Sequence, residues 1–160
     1  MKGIIIYTTK YGSVEKAANI LKNKINGDIR LVNLIKEKAP ELGSYDLVIL
    51  GGSVYVGSVQ KELKKFASDN LSLLQDKKIG LFICGAQPTD EELQRELKGS
   101  FPSELYDKAA AKGVFGYEFD FGKLGFLHKL MIGKIAGVKE SQFKLSEEKI
   151  ETFAAQIRMG

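Results

Sequence analysis

A chain of 160 residues has room for one domain with a real core, and its 44% hydrophobic and 28% charged content excludes a disordered or fibrous polymer. One cysteine, Cys84, and one histidine exclude an internal disulfide and any zinc or iron–sulfur site built on such ligands. The formal charge of +4 favours an anionic cofactor, an acidic substrate or an anionic lipid surface without choosing among them. Nucleic acid is not expected as a partner. The opening apolar run is too short and too soon interrupted for a signal peptide, so a reducing, cytoplasmic setting is expected.

Lys2 to Tyr7 (KGIIIY) is a continuous β-branched run without alternation, as in a parallel strand covered on both faces. Val14, Ala17, Ala18, Leu21 and Ile25 then recur at helical spacing, with Ser13 placed to cap the first turn and Gly27 just past the end. Ile29 to Leu34 reads as an outer strand and Tyr45 to Leu50 as a buried one, followed by a helix face of Val59, Leu63, Phe66 and Ala67. Lys78 to Cys84 predicts a fourth strand. Glu91 to Lys98 and Glu104 to Lys112 predict helical segments broken at Gly99 and Pro102, and Gly113 to Phe119 the last strand. Ile150, Phe153, Ala154 and Ile157 mark a final helix. No linker interrupts this order, so residues 1–160 read as a single α/β domain: a doubly wound, five-stranded parallel sheet with helices on both faces. Its ligand crevice lies beyond the carboxyl ends of the strands.

That topology brings three loops to one edge. Thr8 to Ser13 (TTKYGS) joins hydroxyls and a glycine to a helix N-terminus, which suits a phosphate; a plain cap at Ser13 and a plain turn at Gly12 account for it equally well. In Gly51 to Ser58 (GGSVYVGS), Tyr55 offers a stacking face and Gly57 a peptide able to reorient, suited to something flat and apolar. Packing of Tyr55 and Val56 on a neighbouring loop is the competing account. In Cys84 to Thr89 (CGAQPT), Gly85 and Ala86 permit close backbone approach, and Cys84 reads as a small buried residue ending its strand.

These loops, in this order and at these strand ends, resemble the phosphate loop and the two ring-binding loops of flavodoxins. The closer resemblance is to the flavodoxin-like family that includes the menaquinone-dependent protoporphyrinogen dehydrogenases. It is carried by TTKYGS with the following EKAA, by YDLVILGGSVYVG and by the late stretch FLHKLMIGKIAG. The resemblance implies FMN as cofactor, with Thr8, Thr9, Lys10, Tyr11, Gly12 and Ser13 around its phosphate. It likewise places Ser53, Val54, Tyr55, Val56, Gly57, Cys84, Gly85, Ala86 and Gln87 around the isoalloxazine ring. Val14 departs from the pattern: a threonine usually begins the helix there, so Ser13 is expected to replace its hydroxyl.

A receiver domain is excluded because Leu50 and Gly51 stand where its aspartate would end the third strand. GxGxxG and GxxxxGK[ST] are both absent, and a low-molecular-weight phosphatase lacks its early cysteine. The stretch 121–138 is apolar but carries Lys123, His128, Lys129 and Lys134, and it is not expected to span a bilayer. Leu124, Leu127, Met131 and Ile135 share one helical face, which fits either a helix packed on the sheet or a helix lying on an anionic membrane. The leading expectation is therefore an FMN-dependent oxidoreductase passing electrons from an organic donor, a porphyrinogen by the resemblance, to a quinone or redox protein partner. A flavodoxin-type electron carrier without its own substrate is the alternative, and a fold that has lost FMN is a third.

Overall fold

The computed structural model describes residues 1–54, 57–86, 89–136 and 140–160. Five parallel strands, β1 (Lys2–Tyr7), β2 (Asp28–Asn33), β3 (Leu47–Val54), β4 (Lys78–Gly85) and β5 (Ala111–Val114), form one sheet in the order β2-β1-β3-β4-β5. The reversal of order between β1 and β3 is the topological switch at which α/β sheets open a ligand crevice.

The β-branched runs are buried on both sides because strand side chains alternate between two helical layers. Ile4, Ile6, Val48, Leu50, Leu81 and Ile83 face one core layer. It is closed by α2 (Lys61–Asp69), α3 (Leu71–Gln75), α4 (Asp90–Ser100) and α5 (Ser103–Lys108) through Leu63, Leu74, Leu97 and Leu105. Ile5, Leu47, Ile49 and Phe82 face the other layer, against α1 (Ser13–Lys24) and α7 (Glu147–Met159). There Phe82 stacks on Phe115 with centroids 4.7 Å apart, and Phe153 meets Phe115 edge-on at 5.3 Å.

Several sequence expectations are corrected. Ser13 does not cap α1: Gly12, at φ +96°, is the N-cap residue, and the Ser13 side chain is engaged elsewhere. The helix expected at Glu104 to Lys112 stops at Lys108, because β5 already begins at Ala111 beside β4. The single strand expected at Gly113 to Phe119 is two strands. Gly116, at φ +82°, turns the chain out of the sheet, and β6 (Gly116–Phe119) pairs antiparallel with a strand not anticipated, β7 (Gln142–Leu145). A Cβ at Gly116 would overlap the Lys144 carbonyl, so this turn requires glycine.

Between β6 and β7 lies α6 (Phe126–Ala136). Packing of this helix on the main sheet is not what is observed. Ile132 alone among its described side chains is buried, with Tyr11 and Phe119, while Phe126, Leu127, Leu130 and Met131 face outward. No helix among the described residues is long and apolar enough to cross a membrane.

Candidate functional site

The strands end in a step. Tyr7, the last residue of β1, pairs with Gly51, whereas β3 and β4 continue together to Val54 and Gly85. The segment read as a loop from Gly51 therefore begins as strand, and its glycines have packing roles: a Cβ on Gly51 would overlap the Phe82 ring, and one on Gly52 would crowd Val59 at 2.6 Å. Ser53, Val54 and Cys84 are buried strand residues. Burial also pushes the Cys84 thiol far above the ordinary thiol range, which makes it a packing group without nucleophilic character at neutral pH.

The loop from Thr8 to Gly12 fills the step beside β3. Thr8 donates its backbone N–H to the Gly51 carbonyl at 3.0 Å and its hydroxyl to Gln60 Oε1 at 2.7 Å. Gln60, just before α2, in turn donates Nε2 to Ser53 Oγ at 2.5 Å. One amide thus joins the loop after β1 to the end of β3. Beneath the loop, the Tyr7 phenol donates to Glu15 Oε1 at 3.3 Å, and burial, then the Glu15 charge, pushes its pKa up to about 12.

Ser13 Oγ donates to the Glu118 carbonyl at 2.6 Å and accepts from the Glu118 N–H at 2.9 Å. Its single proton is therefore spent on β6. Lys16 Nζ adds an ion pair to the Glu118 carboxylate at 2.7 Å. Tyr11 turns the same way, edge-on to Phe119 at 6.1 Å and to His128 at 5.5 Å, while Lys10 lies over its ring at 5.5 Å. Val14 is fully buried with Ala17, Ala18 and Leu21, so this position serves the core.

What faces outward is a smaller donor set. Thr9 Oγ1 accepts from the Gly12 N–H at 3.0 Å and keeps its own proton uncommitted among the described residues. Lys10 is exposed; behind it the first-turn N–H groups of α1, carried by the buried residues Ser13 and Val14, have no partner inside the helix. Across the step, Gly57 is exposed at φ +72° with open space around its Cα. A concavity of about 270 Å³ beside it is lined by Glu92, Arg95 and Glu96. Gly85 ends β4 at the same edge, buried against the Val54 carbonyl, and Ala86 follows it. Tyr55, Val56 and Gln87 lie outside the described residues. Gln60, Glu118 and the α4 charges escaped the sequence reading. Gln60 carried a local signal, standing one turn after a glycine-rich loop at a helix start; Glu118 carried none, because its partner is 105 residues away.

A switch point with three loops converging at one strand edge defines a doubly wound α/β protein of the flavodoxin fold. The chain belongs to the flavodoxin domain family, whose pattern matches residues 4–146. It is 29% identical to Flavodoxin 2 of Salmonella typhi over 92% of this chain and 91% of that protein. Among solved structures, oxidised Flavodoxin 1 from Bacillus cereus superposes with a TM-score of 0.60 at 17% identity, covering 99% of this chain and 97% of that one. Rubredoxin oxygen:oxidoreductase from Desulfovibrio gigas superposes with a TM-score of 0.59 at 15% identity. The match covers 98% of this chain but only 35% of that protein.

Flavodoxin homologues bind FMN, and the residues present here fit it. A hydroxyl, an ammonium group and a helix N-terminus are the kind of donors an anion takes, and the exposed backbone at Gly57 leaves room for a flat ring.

Proposed function

We propose that this protein is an FMN-dependent electron-transfer protein that exchanges electrons with a redox protein partner. The phosphate is held by Thr9, Lys10 and the N-terminal N–H groups of α1, and the ring by the segments at Gly57 and Gly85–Ala86. The flavin supplies the redox chemistry; the protein supplies position, exclusion of water and electrostatics. The observation that supports this reading is the division of labour in the first loop. Thr8, through its N–H to Gly51 and its hydroxyl to Gln60, and Ser13, through its hydroxyl to Glu118, fasten the loop to β3, the start of α2 and β6, which leaves Thr9 and Lys10 facing outward on a fixed frame. Purified protein is expected to be yellow, to release FMN on acid treatment and to rebind it stoichiometrically. Colourless protein that FMN cannot reconstitute would overturn the proposal.

A second reading has an observation of its own. Basic and apolar side chains of residues 123–134 adjoin the phosphate loop through the His128–Tyr11 contact, which suits an enzyme that oxidises an organic donor and passes the electrons to a quinone. By resemblance the donor is protoporphyrinogen. Steady-state assay with porphyrinogen and a soluble quinone separates the two: turnover supports the enzyme, and its absence in FMN-loaded protein supports the carrier.

A further inference from the structure

We infer that the outward face of α6 is a docking surface for the headgroup region of an anionic lipid bilayer. Phe126 and Leu127 are 74% and 73% exposed, Leu130 55% and Met131 39%. At about 100° per residue these four occupy one continuous arc, with Ile132 on the opposite side as the buried anchor. So many large apolar side chains together on a surface mark an interaction site.

The chemistry of the surroundings selects the occupant. Lys129 and Lys134 are exposed on α6, Lys123 before it pairs with Asp120 at 3.6 Å, and no acidic residue occurs from Phe121 to Lys134. A second copy of this chain would bring the same lysines face to face, which disfavours self-association. Protein interfaces of ordinary size also carry a hydrogen bond for roughly every 100–200 Å². Within this arc the exposed side chains have no hydrogen-bonding group besides Lys134. Acyl chains need none, and the phosphates above them take the lysines, whose stems lie along the apolar surface. Eleven residues give a helix about 16 Å long, which suits lying in the interface and not crossing it.

The surface is also tied to the cofactor loop. Ile132 packs with Tyr11 and Phe119, His128 meets the Tyr11 ring at 5.5 Å, and Ser13 holds Glu118 from both sides. Docking through α6 therefore sets the phosphate loop beside the membrane, within reach of lipid-soluble electron acceptors.

Flotation of the intact protein with phosphatidylcholine vesicles, with and without phosphatidylglycerol, tests this. Binding is expected only to the anionic vesicles and is expected to weaken with salt. Replacing Lys129→Gln and Lys134→Gln together should lower partition roughly 25-fold, about fivefold per lysine at ~1 kcal/mol each. Replacing Phe126→Ser, Leu127→Ser and Leu130→Ser should abolish binding while circular dichroism stays unchanged, since all three are exposed. Absence of binding by the unaltered protein overturns the proposal, as does undiminished binding by the serine variant. A dimer in sedimentation velocity that the serine variant dissolves, without vesicle binding, assigns the face to a second copy and also overturns it. Partition is read on the protein itself, so a failure to bind FMN leaves this test intact.

Discussion

Thr9 stands alone among the three hydroxyls of its loop. Thr8 gives its proton to Gln60 and Ser13 to Glu118, so neither is available to a phosphate without breaking a bond that holds the loop. Thr9→Ala is therefore expected to weaken FMN by about 10- to 100-fold, the worth of a hydrogen bond to a charged group at ~1.5–3 kcal/mol. Riboflavin, lacking the phosphate, should bind unchanged; equal losses for both, measured by flavin fluorescence titration, would remove Thr9 from the phosphate site. Ser13→Ala should lower the melting temperature, because two backbone groups of Glu118 lose their partner. Cys84 makes a separate prediction: with its thiol buried and its pKa raised, alkylation at pH 8 should proceed only as fast as the protein unfolds. Fast labelling of the native protein would show that the β4 edge opens.

At the scale of elements, the parts legible in the sequence are those whose pattern is local. KGIIIY, YDLVIL and KIGLFIC announce strands covered on both faces because, apart from Lys2, Asp46 and Lys78 near their starts, every residue in them is apolar, aromatic or glycine. The last strand was misread for a physical reason: KGV and GYEF look continuous, and only the positive φ of Gly116 and the pairing with Gln142–Leu145 divide them. The role of Ser13 was hidden in the same way, since a serine before a helical pattern signals a cap wherever its true partner lies far along the chain. The outward face of α6 is legible in the sequence only at Leu127 and Met131: Leu124, on the same expected stripe, precedes the helix and packs toward Tyr11 and Phe119, and the Ile135 side chain is not among those described. Gly116→Ala should accordingly destabilise the protein by more than about 1 kcal/mol, since it combines an unfavourable φ with a backbone overlap. The loss should appear as a lower denaturant midpoint, accompanied by weaker FMN binding, because β6 carries the Glu118 bonds that fasten the phosphate loop. Unchanged stability would show that this turn tolerates a side chain.

For the whole molecule, net charge and local charge point in opposite directions. The chain carries +4, with Lys10, Lys123, Lys129 and Lys134 gathered on the phosphate-loop side. The side proposed for the ring differs: the concavity beside Gly57 is lined by Glu92, Arg95 and Glu96, and the first turn of α4 adds Asp90 and Glu91. Charges farther away than a Debye length of about 8–10 Å are largely screened at ordinary salt, so a small redox mediator approaching the ring responds to α4 and not to the total. Ferricyanide, an anion, should therefore oxidise the reduced protein faster as salt is added, although a protein of net positive charge would ordinarily show the reverse. Glu92→Gln retains the capping contact with Thr89 while removing one charge. In stopped-flow measurements at low ionic strength it should raise the ferricyanide rate roughly two- to threefold, a difference that fades as salt screens the carboxylate. A rate that falls with salt in the unaltered protein, and that Glu92→Gln leaves alone, would place the electron-exchange edge away from α4 and toward the lysine-bearing side.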